Sequence, residues 1–252
     1  EGELFNMKLT YKEDLFLLDK LFQLRSVSLQ NTGITKISKR LLPSSIVVVF
    51  GGSYGIGKDI VEICEQYGAH VYSFSRSLNG IDVSKQEDVA KVLKEISEKE
   101  GRIDAVINTA GLLDKVPLSN MDYEEIYKSI YINYIGAIII AKESYFYLKQ
   151  TKGTLLLFTS SSYTRGRSLY SLYSSSKAAI VNFTQALSEE WYDQGIRINC
   201  INPERTKTPM RIKNFGVEPE ATLLDPKMVA MTSINVLFSS LTGEVIDVKK
   251  GV

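Results

Sequence analysis

The sequence predicts an α/β domain in which helices cover both faces of a doubly wound parallel sheet. Three observations carry this. From Ile46 onward, short apolar β-branched runs alternate strictly with segments of helical periodicity. The first run, Ile46-Val47-Val48-Val49-Phe50, is apolar at every position, as a strand buried on both faces must be. It passes directly into a glycine-rich turn, Gly51-Gly52-Ser53-Tyr54-Gly55-Ile56-Gly57, and then into an amphipathic helix.

The elements follow in order. Further strands are expected at Val71 to Phe74, Ala105 to Ile107, Thr154 to Phe158, Ile196 to Ile201 and Glu244 to Val248. Helices are expected at Ile60 to Tyr67, Lys85 to Lys99, Tyr123 to Lys149, Ser171 to Tyr192 and Pro226 to Phe238. With 252 residues, 44% hydrophobic and 23% charged, the chain suits one large globular domain.

Residues 1–44 read differently. Thr10-Tyr11-Lys12-Glu13 has the form of a capping box, and Leu15, Leu18 and Phe22 recur at helical spacing behind it. The expectation is an N-terminal helical extension through residue 25, a linker over 26–44, and the main domain over 45–252. An apolar helix face of that size must pack on something. Because the chain starts at Glu1 rather than methionine, it is expected to be part of a longer protein.

Composition excludes several classes. Thirty basic against 29 acidic residues give no case for nucleic acid or an anionic membrane as partner. The longest apolar run, Ile135 to Ala141, falls well short of the ~18 residues needed to span a bilayer. Charge interrupts Leu15 to Leu18 too soon for a signal peptide. Cys64 and Cys200 lie within apolar patterns and read as buried free thiols, which fits a cytoplasmic protein. A single histidine, His70 in a strand, without other ligands near it, leaves no metal site.

The glycine turn points to a nucleotide. Gly51, Gly55 and Gly57 let the backbone approach a pyrophosphate, with Ser53, Tyr54 and Ile56 between them, and the following helix offers free N–H groups. This is the beginning of a Rossmann-type fold. A carboxylate at the end of the second strand would hold the ribose hydroxyls of NAD. Here that strand ends in Ser75-Arg76, and a guanidinium suits a 2′-phosphate, so NADP(H) is the expected cofactor.

The chemistry is expected on Tyr173 and Lys177, four residues apart and therefore on one helix face. A tyrosine of ordinary pKa ~10 donates its proton reluctantly, and a lysine cation nearby is expected to lower it. Ser160, at the end of a central strand, can hydrogen-bond a substrate carbonyl.

Taken together and in this order, these motifs resemble the short-chain dehydrogenase/reductase family from Ile46 to Val252. Phe50 stands where that family usually has threonine, and Glu204 stands where it has glycine after Pro203. Asn108-Thr109-Ala110-Gly111 is similar to its N-N-A-G strand end, with Thr109 replacing asparagine. The resemblance implies that Asp82 contacts the adenine. It also implies that Asn133, in Asn133-Tyr134-Ile135-Gly136, holds a water linking Lys177 to solvent, and that Thr208 contacts the nicotinamide side. It extends the cofactor set to Val83, Asn108, Ala110, Gly111, Pro203 and Thr206, beside Tyr173 and Lys177. Arg76 and Asp82 are only six apart, which leaves no room for the usual intervening helix.

Basic residues gather after Ser160 and after Pro203: Arg165, Arg167, Arg205, Lys207, Arg211 and Lys213. Arg165, Arg167, Arg205 and Arg211 are the candidates to meet a substrate phosphate. The stretch Asn202 to Leu224 resembles the reductase half of bifunctional bacterial CDP-ribitol synthases. Asn6 to Leu15 looks like the tail of their cytidylyltransferase half. That likeness implies reduction of D-ribulose 5-phosphate to D-ribitol 5-phosphate for a capsule or cell-wall polymer. The partner would be the chain's own N-terminal transferase domain, and the long helices 123–149 and 171–192 resemble those that form interfaces in the short-chain dehydrogenase/reductase family, a likeness that implies a homodimer or homotetramer. Two other readings remain open at this point: a reductase of another ketone, such as a 3-oxoacyl thioester or another sugar, and a silent scaffold or dimerisation domain for the transferase.

Overall fold

The computed structural model describes residues 10–23, 26–28 and 33–250. In chain order the elements are α1 (Lys12–Gln23), β1 (Val27–Ser28), α2 (Lys36–Leu41), β2 (Ile46–Phe50), α3 (Gly55–Gln66), β3 (His70–Phe74), α4 (Arg76–Asn79) and α5 (Gln86–Glu100). They continue with β4 (Ala105–Asn108), α6 (Tyr123–Ile130), a π turn (Tyr131–Ile135), α7 (Gly136–Thr151), β5 (Thr154–Phe158) and α8 (Ser171–Glu190). The last are β6 (Arg197–Pro203), α9 (Pro209–Phe215), α10 (Pro226–Leu237) and β7 (Val245–Val248). All strands are parallel, in the order β1-β7-β6-β5-β4-β2-β3.

The alternation along β2 divides the core. Ile46, Val48 and Phe50 face α5, α7 and α8 through Val89, Leu93, Ile140 and Ile180. Val47 and Val49 face α3 and α10 through Ile60, Cys64, Val229 and Ile234. Successive side chains of a strand point to opposite faces, so a five-residue apolar run serves both layers. Phe50 is fully buried and packs against Phe74 at 5.8 Å between ring centroids. The departure from threonine there is absorbed by the core. Cys64 and Cys200 are both free and buried, and burial pushes each thiol up to about 12.

The chain leaves β2 toward β3 on one side and returns to β4 on the other. A cleft opens at such a reversal, beyond the carboxyl ends of the strands.

Five features differ from the sequence expectation. The acid that closes the start of α1 is Asp14, not Glu13: its carboxylate accepts from the backbone N–H groups of Thr10 and Tyr11 at 2.7 and 2.8 Å. In that helix Leu15 is 58% exposed, so its apolar face is not covered there. The side chain of Phe22 and the stretch Asn6 to Leu9 lie outside the described residues. Within 26–44, read from the sequence as a linker, Val27–Ser28 pairs with β7, and α2 is tied to α10 through Asn235. The Asn235 Oδ1 accepts from the Thr35 N–H and the Ser38 hydroxyl, and its Nδ2 donates to the Gly33 carbonyl. The interval between Arg76 and Asp82 holds a single helical turn, α4, capped by the Ser75 hydroxyl and ended by Gly80 at φ 74°. The helix expected from Tyr123 to Lys149 is interrupted by the π turn.

Candidate active site

A cleft of about 340 Å³ opens at the carboxyl ends of β2 to β6. Gly51, Ser53, Tyr54, Gly55, Ile56 and Gly57 form its floor at one end, where β2 turns into the N-terminus of α3. The glycines are forced by contact. A Cβ on Gly57 would collide with the Gly51 carbonyl oxygen and the Thr109 hydroxyl, and one on Gly51 would lie 2.5 Å from the Ala110 nitrogen. Thr109 therefore does more than fill the place of an asparagine. Its hydroxyl donates to the Phe50 carbonyl at 3.0 Å and locks the turn against β4. The backbone cradle so formed fits a pyrophosphate, whose charge the free N–H groups of α3 would meet.

Ser75 and Arg76 line the cleft beyond this turn. Arg76 is half-exposed and stands 3.9 Å from Asp82. Burial raises the Asp82 carboxyl, but the Ser84 hydroxyl and N–H, with Arg76 beside them, outweigh it and hold Asp82 below the usual carboxylate range. Val83, Ala110 and Gly111 also line the wall. Asp82, Asn108 and Asn133 do not themselves line it. Asn108 accepts from the Ala110 N–H at 3.1 Å and so shapes the wall from the back.

At the other end Ser160, Tyr173 and Lys177 come together as expected. Tyr173 and Lys177 share one face of α8, with Nζ 5.5 Å from the tyrosine ring centroid. Nζ donates to the Phe158 carbonyl at 3.0 Å, and burial pulls Lys177 down to about 8. Burial pushes Tyr173 up to about 12, against a hydrogen bond from Ser160 that pulls it down. The expected lowering of Tyr173 by Lys177 is therefore not what this geometry gives. Desolvation wins, and Ser160 is the group that opposes it.

Asn133 sits in the π turn, 2% exposed. Its amide clamps Leu112 from both sides, accepting from the N–H at 2.9 Å and donating to the carbonyl at 2.7 Å. A Cβ on Gly111 would lie 3.4 Å from Asn133 Oδ1 and 3.8 Å from Lys177 Nζ, so both border the same strand end.

Pro203, Thr206 and Thr208 line the cleft after β6. Glu204 has no left-handed backbone, so glycine is not required at that position; its N–H donates to the Val248 carbonyl at 3.0 Å. Of the four candidate arginines, Arg205 and Arg211 line the cleft. Arg165 and Arg167 do not: Arg165 is exposed, and Arg167 borders a separate depression outside α8. The positive charge at the mouth is also largely matched, because Glu218 pairs with Arg205 and Arg211, Glu220 with Lys207 and Asp114 with Lys213.

Sequence reasoning did not place helix α9, whose Phe215, in contact with Tyr170, lines the cleft together with it. The signal was present: Thr208 caps α9 by accepting from the Arg211 N–H, and Pro209 follows at the first helical position.

A nucleotide cradle at the sheet's reversal, with a serine, a tyrosine and a lysine converging at its far end, defines a nucleotide-dependent oxidoreductase. The chain belongs to the short chain dehydrogenase family, which residues 45–216 match. It is 54% identical over 249 residues to the bifunctional ribulose 5-phosphate reductase/CDP-ribitol pyrophosphorylase of Haemophilus influenzae. That match covers 98% of this chain but 52% of that protein, so the chain spans about half of its relative's length. A 3-oxoacyl-[acyl-carrier-protein] reductase of Bos taurus is 28% identical, over 66% of this chain and 77% of that protein. Among solved structures, the 3-ketoacyl-(acyl-carrier-protein) reductase of Brucella melitensis complexed with NADH superposes with a TM-score of 0.77 at 21% identity, covering 83% of this chain and 98% of that one. At that identity the likeness shows the shared fold. No helix among the described residues is long and apolar enough to cross a membrane.

Proposed function

We propose that this chain is an NADPH-dependent reductase that converts D-ribulose 5-phosphate to D-ribitol 5-phosphate. The observation that carries this reading is the 54% identity, over nearly the whole chain, to a ribulose 5-phosphate reductase. The two arginines in the cleft wall, Arg205 and Arg211, agree with a phosphorylated substrate.

The glycine turn from Gly51 to Gly57 and the N-terminus of α3 would hold the pyrophosphate of the cofactor. Ser75 and Arg76 would take the 2′-phosphate, Asp82 and Val83 the adenine, and Asn108, Ala110, Gly111, Pro203, Thr206 and Thr208 the nicotinamide half. Bound there, the nicotinamide supplies the hydride. The Ser160 hydroxyl hydrogen-bonds the ketone oxygen and stabilises the charge that develops on it. Tyr173, still protonated at neutral pH, donates its proton to that oxygen. Lys177 then stabilises the phenolate left behind, and Asn133 fixes the strand end at Leu112 and Gly111 beside it. NADPH, ketose phosphate and a proton give NADP and the alditol phosphate. By analogy with the two-activity relative, residues 1–25 would end a cytidylyltransferase domain that consumes the product.

NADPH oxidation tests this when followed with ribulose 5-phosphate, ribulose, xylulose 5-phosphate and an acetoacetyl thioester. Ribulose 5-phosphate should have the highest kcat/KM. Turnover of the thioester alone would overturn the substrate reading.

A further inference from the structure

The segment after α9 holds a side chain that no motif singled out. Glu218 lies outside the cleft wall, yet it fixes Arg211 within that wall. The Arg211 Nε donates to Glu218 Oε2 at 2.6 Å and Nη2 to Oε1 at 2.8 Å, so one edge of the guanidinium is held bidentately. One face of the same group lies on Phe215, at 3.8 Å from the ring centroid. Phe215 is in turn seated on Tyr170 at 5.9 Å, and Tyr170 on Tyr173 at 6.3 Å. A continuous row of contacts thus runs from the tyrosine at the reacting end to the guanidinium and its carboxylate.

A guanidinium has five donors in a rigid plane. Glu218 takes the Nε–Nη2 edge, and Nη1 meets no acceptor among the described residues. Arg211 and Glu218 are only 20% and 19% exposed, which limits the freedom of both side chains. Arg205 stands 4.0 Å from the same carboxylate and brings a second cation to the place. Hydrogen bonding to Arg211 first, and burial against it second, leave Glu218 below the usual carboxylate range, ionised throughout neutral pH.

We propose that Glu218 is a positioning residue that holds the free edge of Arg211 toward the cleft, where it binds the phosphate of the substrate and selects phosphorylated over unphosphorylated ketoses. This rests on the ketose phosphate reading given above. A fixed, preorganised fork recognises phosphate with little further ordering, whereas a free arginine must be immobilised on binding.

The test compares wild type, Glu218→Gln, Arg211→Lys, Arg211→Ala and the double variant Glu218→Gln/Arg211→Ala. The kinetics use ribulose 5-phosphate and ribulose, with inorganic phosphate as inhibitor. Glu218→Gln should raise KM for ribulose 5-phosphate about ten-fold with kcat changed about two-fold or less, and raise the inhibition constant of phosphate in parallel. Arg211→Lys, which keeps the charge but loses the fork, should lower the preference for the phosphorylated ketose as well. In the Arg211→Ala background Glu218→Gln should add nothing, because it acts through Arg211. Additive losses, a lower KM in Glu218→Gln, or a rise in the NADPH rather than the ketose KM would overturn the proposal. If wild type itself does not prefer ribulose 5-phosphate to ribulose, the substrate reading falls with it. If wild type discriminates and the variants still do, only the role of Glu218 and Arg211 falls.

Discussion

Lys177 stands with its Nζ 5.5 Å from the centroid of the Tyr173 ring, yet its hydrogen bond goes to the Phe158 carbonyl at 3.0 Å. The ammonium is thus anchored on the neighbouring strand end and faces the ring without sharing the phenolic proton. In the proposed mechanism the pair would divide its work: the tyrosine would keep its proton until reaction, and the anchored lysine would supply a charge nearby as long as it stays protonated.

That division fixes the pH dependence. Tyr173, at about 12, stays protonated over the working range, while Lys177, at about 8, loses its charge as pH rises through that value. The kcat/KM for ketone reduction should be level below about 8 and fall above it. Lys177→Arg keeps a permanent charge, so its lower rate should show no such limb. A wild-type profile flat to pH 10 would contradict the assignment.

Arg76 should decide between the two nicotinamide cofactors. Its guanidinium lies at the cleft edge, half-exposed and only loosely tied to Asp82 at 3.9 Å, free to meet a 2′-phosphate. Arg76→Ala should weaken NADPH binding about ten-fold or more and NADH binding about two-fold or less, read as dissociation constants by fluorescence. Equal losses would remove the basis for an NADP preference.

Gly57 should tolerate no side chain. Gly57→Ala places its Cβ against the Gly51 carbonyl and the Thr109 hydroxyl, at the centre of the nucleotide cradle. Overpacking of this kind costs about 1–3 kcal/mol. A lower Tm and a large loss of NADPH affinity are expected together. Unchanged affinity would mean that the turn does not hold the pyrophosphate.

Much of this was legible in the sequence because buried parallel strands and amphipathic helices leave plain periodic signals. Ile46 to Phe50 and Thr154 to Phe158 fall on the observed strands residue for residue. Tyr173 and Lys177 are paired by their spacing on one helix, and Ser160 joins them through its place at the end of a central strand and through the family resemblance. What escaped depended on tertiary contact. The π turn at Asn133 has no local signature, and β1, of two residues, exists only through its pairing with β7. The basic cluster misled for a related reason. Arg165 and Arg167 share its sign but follow a loop that leaves the cleft, and Glu218 and Glu220 neutralise most of the rest from seven to thirteen residues away.

The most direct test of the central claim follows the hydrogen itself. Purified protein would be given ribulose 5-phosphate and NADPH deuterated at C4, each face in turn, and the product would be weighed by mass spectrometry. Wild type should yield ribitol 5-phosphate carrying one deuterium at C2 from one of the two cofactors. Tyr173→Phe should bind NADPH with similar affinity yet form product at least about a hundred-fold more slowly. Product without deuterium from either cofactor, or a Tyr173→Phe variant of undiminished rate, would contradict the account.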